Sequence, residues 1–192
     1  MLKNITIREY KYEDRSSVRE LYAVGIASYK NPPHLHENQF RFSEWALKTD
    51  MADILSNYVN KGGNFWVAEE MNGGGGSRLV GCVGVLPLPS EMVLYPERKS
   101  FELQRMVVQV DCRGKGVGCA LVKCLEGFVG DVCGGDEVVL TTLDEQLPAC
   151  RFYEKNGYVR AGTLQSFGAM ARFPEATLDG ILHIQRFEKY LK

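Results

Sequence analysis

The chain has 192 residues, of which 45% are hydrophobic and 24% charged, values typical of a globular protein with a buried core. We therefore expect residues 1–192 to form a single domain. The 23 lysines and arginines are balanced by 24 aspartates and glutamates, which leaves a net charge of -1. This balance excludes an overall basic field that would hold nucleic acid or an anionic membrane, so any anion site must be local.

The six cysteines and three histidines show neither a zinc nor a disulfide pattern. No Cys-x-x-Cys pair occurs and the histidines lie far from any cysteine pair, so we predict no metal site. The N-terminal segment is charged, without the apolar centre of a signal peptide, and no stretch approaches the ~20 apolar residues of a membrane span. We expect a cytoplasmic protein with reduced thiols, no membrane or nucleic-acid partner, and a monomeric or weakly dimeric state.

The first third of the chain has patterns of one strand and two helices. Ile5 and Ile7 alternate with polar residues, as in a half-buried strand, and Asp14 is placed to cap the helix that follows. Residues 31–45 contain two consecutive prolines among aromatic side chains, which predicts an ordered loop. A second helix is predicted around residues 54–59, ended by the glycine pair that follows it. The apolar face of the first helix is Val18, Leu21, Tyr22 and Gly25.

The rest of the chain is richer in strands. Residues 65–86 predict a hairpin with a flexible tip of four glycines, and residues 101–110 predict a long strand. After residues 113–118, Arg-Gly-Lys-Gly-Val-Gly, apolar spacing predicts a helix over residues 117–128. A strand at 137–142, a helix at 149–156 ended by Gly157, and strands at 158–163 and 181–187 complete the pattern. Residues 164–177 have no clear pattern and are interpreted as a loop.

The glycine-rich junction at residues 113–118 is suited to anion binding. A strand that runs through glycines into a helix leaves the first backbone N–H groups of the helix unpaired, and the helix dipole adds partial positive charge there. Arg113 and Lys115 supply side-chain cations. The spacing is neither that of a dinucleotide fingerprint nor that of a nucleoside-triphosphate loop. It matches Arg-x-x-Gly-x-Gly.

That motif, formed by Arg113, Gly116 and Gly118, resembles the coenzyme A turn of the GCN5-related N-acetyltransferases (GNAT family). The strand before it, Glu-Leu-Gln-Arg-Met-Val-Val at residues 102–108, also resembles the family, as does the Ala-x-x-x-Tyr-x-x-x-Gly-Tyr block at residues 149–158. The resemblance implies an α/β (α+β) GNAT fold with a mixed, mostly antiparallel, twisted sheet of six to seven strands and about four helices. One departure is Gln146, where many members carry Asn, with Pro148 altering the helix start.

By resemblance, the co-substrate is acetyl-CoA, held where the fourth and fifth strands splay apart. A backbone N–H near Val108 would stabilise the oxyanion that develops during acetyl transfer. The implied cofactor-binding residues are Met106, Val107, Val108, Arg113, Gly114, Lys115, Gly116, Val117, Gly118, Cys119 and Gln146.

The resemblance also suggests two catalytic residues. Only a neutral amine attacks, and a lysine-type ammonium has a pKa near ~10.4, so a base or ordered water must remove a proton. Glu102 is the candidate base, although a structural role for a strand glutamate remains open. Tyr153 matches the tyrosine that can protonate the leaving thiolate, with aromatic packing as its alternative role.

The sequence gives the least information about the acceptor of the acetyl group. In the family, residues 31–45 and 164–179 would form its side of the site, where Glu37, Glu44 and Glu175 could recognise one ammonium. Neither segment is strongly acidic, which does not favour an extended basic tail as acceptor. A small amine, an amino acid, a protein N-terminus and a lysine remain possible. Two functions therefore stay open: an acetyl-CoA-dependent N-acetyltransferase, or a CoA-binding sensor or interaction module without turnover.

Overall fold

The computed structural model describes residues 4–29, 33–89, 95–165 and 183–191. Seven strands form one sheet in the order β1-β2-β3-β4-β5-β7-β6. Of the neighbouring pairs, β4 with β5 is parallel and the others are antiparallel. The strands are β1 (Ile5–Glu9), β2 (Asn64–Met71), β3 (Ser77–Pro87), β4 (Ser100–Val108), β5 (Glu137–Leu143), β6 (Val159–Gln165) and β7 (His183–Tyr190). This sheet confirms the predicted fold class.

Five α-helices are described, one more than the approximate number predicted from the sequence. They are α1 (Arg15–Ala27), α2 (Pro33–Lys48), α3 (Ile54–Asn57), α4 (Val117–Gly127) and α5 (Leu147–Lys155). A π-helical turn, Phe128–Val132, extends α4. The second predicted helix is shorter than expected: α3 lies between 3-10 turns at Asp50–Ala52 and Val59–Lys61, and Gly62 ends the last turn at φ 79°.

Both faces of the sheet are covered, which explains why β2 starts with five consecutive buried residues, Asn64 to Ala68. Trp66 and Ala68 face a core shared with α4 and α5, whereas Phe65 and Val67 face a second core shared with α1 and α3. The predicted apolar face of α1 is buried in this second core, and Gly25 lets the helix approach Val107 of β4. The helices on both faces therefore converge on β4.

The loop predicted for residues 31–45 is wrong, because α2 occupies most of that segment. Among residues 39–48, whose side chains are described, the buried positions are Gln39, Ser43 and Ala46, which recur every three or four residues but carry polar or small side chains. Phe40 is exposed, and Phe42 and Trp45 are only half-buried beside this stripe, so the most buried positions are not the most apolar ones. Proline near the helix start is compatible with a first turn, whose N–H groups are unpaired in any case. The Gln39 amide donates to the carbonyl of Ile26, which joins α2 to α1.

Asp14 also differs from its predicted role. It precedes α1, but its carboxylate accepts from the Lys11 backbone N–H and from the Arg8 guanidinium, without capping α1 itself. Of the loop expected at residues 164–177, only residues 164 and 165 are described, and they are the last residues of β6 instead. The rest of that segment, and residues 181–182 of the last predicted strand, lie outside the described residues.

Candidate active site

Strands β4 and β5 separate after their first three residues. Their parallel pairing runs from Ser100 and Glu137 to Glu102 and Val139, and no later pair of these strands is described. A bulge then changes the path of β4: its register to β3 shifts between Cys82 and Gly84, and Arg105 adopts a positive φ of 54°. The edge of β4 beyond Glu102 therefore faces a gap instead of a neighbouring strand, so some of its backbone groups are available to a ligand.

A cavity of about 520 Å³ occupies this gap. Its walls come from α1, α2, β4, the turn before α4, β5, the start of α5, and β7. The predicted site residues that line it are Glu102, Met106, Val107, Val108, Arg113, Gly114, Gly118, Gln146 and Tyr153. The structure thus brings together residues that are separated by up to 51 positions in the chain, from Glu102 to Tyr153.

The turn before α4 opens the helix toward this cavity. Gly114 and Gly116 have φ values of 74° and 90°, a left-handed conformation that glycine adopts without a Cβ penalty. The first backbone bond of the helix joins Ala120 N–H to the Gly116 carbonyl, so the N–H groups of the preceding residues in the first turn have no intrahelical acceptor. A Cβ at Gly114 or Gly116 would meet nothing within 4 Å, which leaves the space above the turn open.

Gly118 has a different reason for being glycine. A Cβ there would lie 3.0 Å from the Phe152 ring and 3.2 Å from Met106 Cε. The absence of a side chain lets α4 pack closely against α5 and β4, so that Gly118 serves helix packing at the cavity wall.

The other four predicted cofactor residues, Lys115, Gly116, Val117 and Cys119, lie at the turn but are not among the described residues that line the cavity. Lys115 and Gly116 are exposed, and Cys119 is half-buried. The Val117 side chain is 1% exposed and belongs to the core, so only its backbone can serve a ligand at the turn.

The Arg113 side chain is engaged with its own protein. Its Nε donates to the Val108 carbonyl at 2.9 Å, and Nη2 donates to the Ser28 hydroxyl at 2.7 Å. Nη2 also lies 3.3 Å from the Gly25 carbonyl at the end of α1, and the guanidinium stacks 4.6 Å from the Tyr29 ring. Sequence reasoning treated Arg113 as a cation for phosphate. The structure shows it joining the end of β4 to the C-terminal end of α1, where a cation is favourable, and leaves Lys115 as the exposed cation of the turn.

Tyr153 is buried in α5, with 7% of its surface exposed, and lines the cavity. Its ring contacts those of Phe152, Tyr158 and Phe187, with centroids 5.2, 5.7 and 6.0 Å away. Burial, with smaller effects from Tyr29 and Cys150, raises the pKa of the Tyr153 phenol well above its ordinary value. The hydroxyl is therefore a proton donor throughout the neutral pH range.

Gln146 immediately precedes α5 and lines the cavity. Its side-chain oxygen accepts a hydrogen bond of 3.0 Å from the Thr142 hydroxyl of β5. This bond orients the amide and leaves the NH₂ group as the donor that Gln146 can offer to a ligand.

Glu102 is the only carboxylate among the described residues that line the cavity, and 9% of its surface is exposed. The Gln104 side-chain N–H donates to Glu102 Oε2 at 2.6 Å. The Tyr58 hydroxyl lies 3.3 Å from the Gln104 side-chain oxygen and 2.5 Å from Asp50 Oδ2. Asp50 in turn receives two hydrogen bonds from Arg105, of 2.7 and 2.8 Å. A polar network therefore connects the bulge of β4 to Glu102.

Sequence reasoning missed several residues of the cavity. Arg105 carries a buried cation on β4, and Arg186 carries another on β7. Both strands carry other polar residues, so the local sequence carries no signal that these two arginines are buried. Glu44, by contrast, is exposed on α2, where it pairs with Lys48 at 3.5 Å, and does not belong to the described cavity lining. The side chain of Glu37 and all of Glu175 lie outside the described residues.

A family model for an acetyltransferase (GNAT) domain matches residues 61–160, slightly more than half of the chain. The chain therefore belongs to the GNAT acetyltransferase family, and the resemblance identified from its motifs is confirmed.

Curated relatives carry related names. Human (Homo sapiens) N-acetyltransferase 8B is 37% identical over 128 residues, which are 66% of this chain and 52% of that protein. N-acetyltransferase 8F1 of Rattus norvegicus is 38% identical over 116 residues, 60% of this chain and 48% of that protein. The chain thus spans about half the length of these curated relatives.

Solved structures share the fold over nearly the whole chain. A GNAT-family acetyltransferase of Staphylococcus aureus Mu50 has a TM-score of 0.65 at 23% identity, covering 98% of this chain and 99% of that chain. A spermidine N-acetyltransferase of Vibrio cholerae, solved with CoA and spermine, has a TM-score of 0.60 at 19% identity, covering 98% and 96%. A Salmonella typhimurium protein solved with acetyl-CoA has a TM-score of 0.62 at 16% identity, covering 98% and 95%. At these identities the matches establish the fold.

Within the described ranges, each helix is too short or too polar to cross a membrane. Among the described side chains, no cluster of three or more His, Cys, Asp or Glu residues is arranged to bind a metal ion.

Proposed function

We propose that this protein is an acetyl-CoA-dependent N-acetyltransferase that moves an acetyl group to a primary amine by direct attack. One observation carries the proposal. A single cavity reaches the gap between β4 and β5, the glycine turn before α4, Glu102 and Tyr153. The walls of one cavity therefore carry three features: a binding site for a phosphate-bearing thioester, a candidate base and a candidate acid. Solved proteins of the same fold that bind CoA or acetyl-CoA support this assignment.

The residues at the turn fit a pyrophosphate. The N–H groups of Val117, Gly118 and Cys119, which have no intrahelical acceptor, begin a helix whose dipole favours an anion, and Lys115 is exposed beside them. The open space at Gly114 and Gly116 admits phosphate oxygens close to the backbone.

The pantetheine arm has partners further into the gap. The edge of β4 at Met106, Val107 and Val108 offers backbone groups, and the Gln146 amide offers a donor on the opposite wall. Bound acetyl-CoA would supply the acetyl group as a reactive thioester. A backbone N–H near Val108 stabilises negative charge on the acetyl oxygen as the amine attacks.

Glu102 and Tyr153 complete the proton transfers. Glu102 accepts a proton from the acceptor ammonium, so that the neutral amine nitrogen can form the new C–N bond. As the C–S bond breaks, Tyr153 donates its proton to the sulfur and recovers one from the nitrogen through solvent. The overall reaction converts an ammonium and a thioester into an amide, a free thiol and one released proton.

Turnover distinguishes the enzyme from the alternative, a CoA-binding module. The experiment follows thiol release from acetyl-CoA with a panel of primary amines, amino acids and lysine peptides, and identifies the acetylated product by mass spectrometry. We expect amine-dependent thiol release that Glu102→Gln reduces strongly, with CoA affinity unchanged. Tight CoA binding without thiol release for any amine would favour the binding module instead. Weak or absent CoA binding would contradict both functions.

A further inference from the structure

Arg186 on β7 is a buried cation without a described counter-ion. Seven per cent of the residue is exposed, and it lines the cavity described above. Its Nε and Nη2 atoms are both buried and make no hydrogen bond. A guanidinium that loses water without gaining a partner costs substantial free energy, which a bound anion can offset.

The other arginines that line the described part of the cavity differ in this respect. Arg105 is bound through two of its nitrogens to Asp50, and Arg113 is bound to the Val108 carbonyl and the Ser28 hydroxyl. Their charges and hydrogen-bond donors are used within the protein. Arg186 is the arginine of this set whose donors remain available for a ligand that enters the cavity.

The sheet register places Arg186 and Glu102 on one face. Glu102 pairs with Val139, and Arg186 pairs with Thr141, two residues further along β5. Cross-strand partners and every second residue of a strand share a face. With a strand spacing of ~4.8 Å and a rise of ~3.3 Å per residue, the two Cα atoms lie roughly 12 Å apart. The long side chains of Arg186 and Glu102 therefore leave room between their charged ends for one small molecule.

We propose that Arg186 binds the carboxylate of the acceptor, and that the acceptor is an α-amino acid whose amine is acetylated. This inference rests on the function proposed above. Glu102 is near the ammonium end of such a molecule, and Arg186 is near its carboxylate end. A polyamine, or any other amine that lacks a carboxylate, leaves the Arg186 guanidinium without an anion. Such acceptors should therefore bind more weakly.

The test compares amino acids with their matching amides, which keep the amine and side chain but lack the carboxylate charge. Thiol release is measured for wild type, Arg186→Gln, Arg186→Lys and the control Arg151→Gln, an exposed position on α5. For the preferred side chain, we expect the wild-type KM of the acid to be roughly tenfold or more below that of the amide. Arg186→Gln should remove this preference with a smaller effect on kcat, Arg186→Lys should restore part of it, and Arg151→Gln should keep it.

Three results would overturn the proposal. The first is a wild-type enzyme that treats acids and amides equally. The second is an unchanged acid preference in Arg186→Gln. The third is a loss of CoA affinity in Arg186→Gln, which would assign the guanidinium to the cofactor. If no amine releases thiol, the function proposed above fails, and binding of acids against amides to the CoA complex, measured by thermal shift, then decides the role of Arg186 separately.

The neighbouring Glu188 provides a further control. It lies two residues along the same face of β7, and its Oε2 is also buried without a partner. If Arg186 served only to balance Glu188 within the fold, Glu188→Gln would reproduce the effects of Arg186→Gln. The proposal expects Glu188→Gln to keep the preference for acids over amides.

Discussion

Tyr153 combines a rigid ring with a hydroxyl that stays protonated. Replacing it with phenylalanine keeps the ring packing against Phe152, Tyr158 and Phe187 but removes the proton donor. We expect Tyr153→Phe to lower kcat by roughly ten- to a hundredfold, at or below the bottom of the range typical of general acid catalysis, because a thiolate leaves readily. The Kd for CoA should stay nearly unchanged, the pattern of an interaction made in the transition state. Steady-state kinetics and calorimetry measure the two quantities.

Tyr158→Phe is the matched control, because it removes a buried hydroxyl outside the described cavity lining. The pKa of Tyr153 adds a test by pH. Burial raises this pKa above its ordinary value near ~10, so the phenol donates at all lower pH values and loses its proton only above that raised pKa. The ratio of wild-type to Tyr153→Phe rates should therefore be constant from about pH 6 to about pH 9. A ratio that falls across this range would contradict the raised pKa of Tyr153, and a ratio near one at every pH would remove Tyr153 from the mechanism.

The cysteines differ in reactivity because they differ in burial. All six are free thiols, and burial raises the pKa of Cys82 to about 12, whereas Cys119 is half-buried in the first turn of α4. Since the thiolate is the reactive form, Cys82 should resist alkylation at neutral pH in the folded protein. CoA should slow the labelling of Cys119, which lies at the proposed pyrophosphate turn. Peptide mapping by mass spectrometry checks both expectations, and early labelling of Cys82 would contradict the fold around it.

Among the elements, the bulge of β4 carries an ion pair that joins distant parts of the chain. Arg105 and Asp50 are 5% and 17% exposed in their side chains and lie 2.7 Å apart. Removing one partner of a buried ion pair leaves the other uncompensated. We expect Asp50→Asn to lower the free energy of unfolding by roughly 3–5 kcal/mol. Urea unfolding measures this loss.

The double variant Asp50→Asn with Arg105→Met should lose less stability than the sum of its single variants, because no unpaired charge then remains. Glu44→Gln, which breaks the exposed pair with Lys48, should leave stability unchanged within error. Additive losses would show that the bulge does not depend on this ion pair.

The elements with a clear period could be predicted from the sequence, and those stabilised by long-range contacts could not. The face of α1 and the glycine turn before α4 have local signals, in apolar spacing and in residues that permit positive φ. In residues 39–48 of α2, whose side chains are described, the buried positions Gln39, Ser43 and Ala46 are polar or small, so local apolarity does not mark the buried face. Arg105, at the bulge, pairs with Asp50, 55 residues earlier, and a local sequence pattern cannot reveal a contact over that separation.

The same distinction holds for the candidate site. Motif spacing places the turn residues and Tyr153 together, because the motifs lie in the parts of the fold that surround the gap. The engagement of Arg113 with α1 and the cavity position of Arg186 depend on how α1 and β7 pack. These arrangements are properties of the three-dimensional fold.

For the whole molecule, ligand binding at the turn should stabilise the fold. A ligand that binds only the folded state adds about 2.7 kcal/mol when its concentration is a hundredfold above Kd, which raises Tm. The Gly116→Val substitution places a β-branched side chain at φ 90°, so the turn must change its path. Gly74→Val is the control, since a Cβ at this hairpin tip meets nothing within 4 Å.

The Tm measured with and without CoA in these three proteins tests the central claim, that the turn before α4 and the adjoining cavity bind coenzyme A. The account predicts a clear rise of Tm for the wild type and for Gly74→Val, and little or none for Gly116→Val that circular dichroism shows to be folded. A folded Gly116→Val protein with the full wild-type rise would contradict the claim.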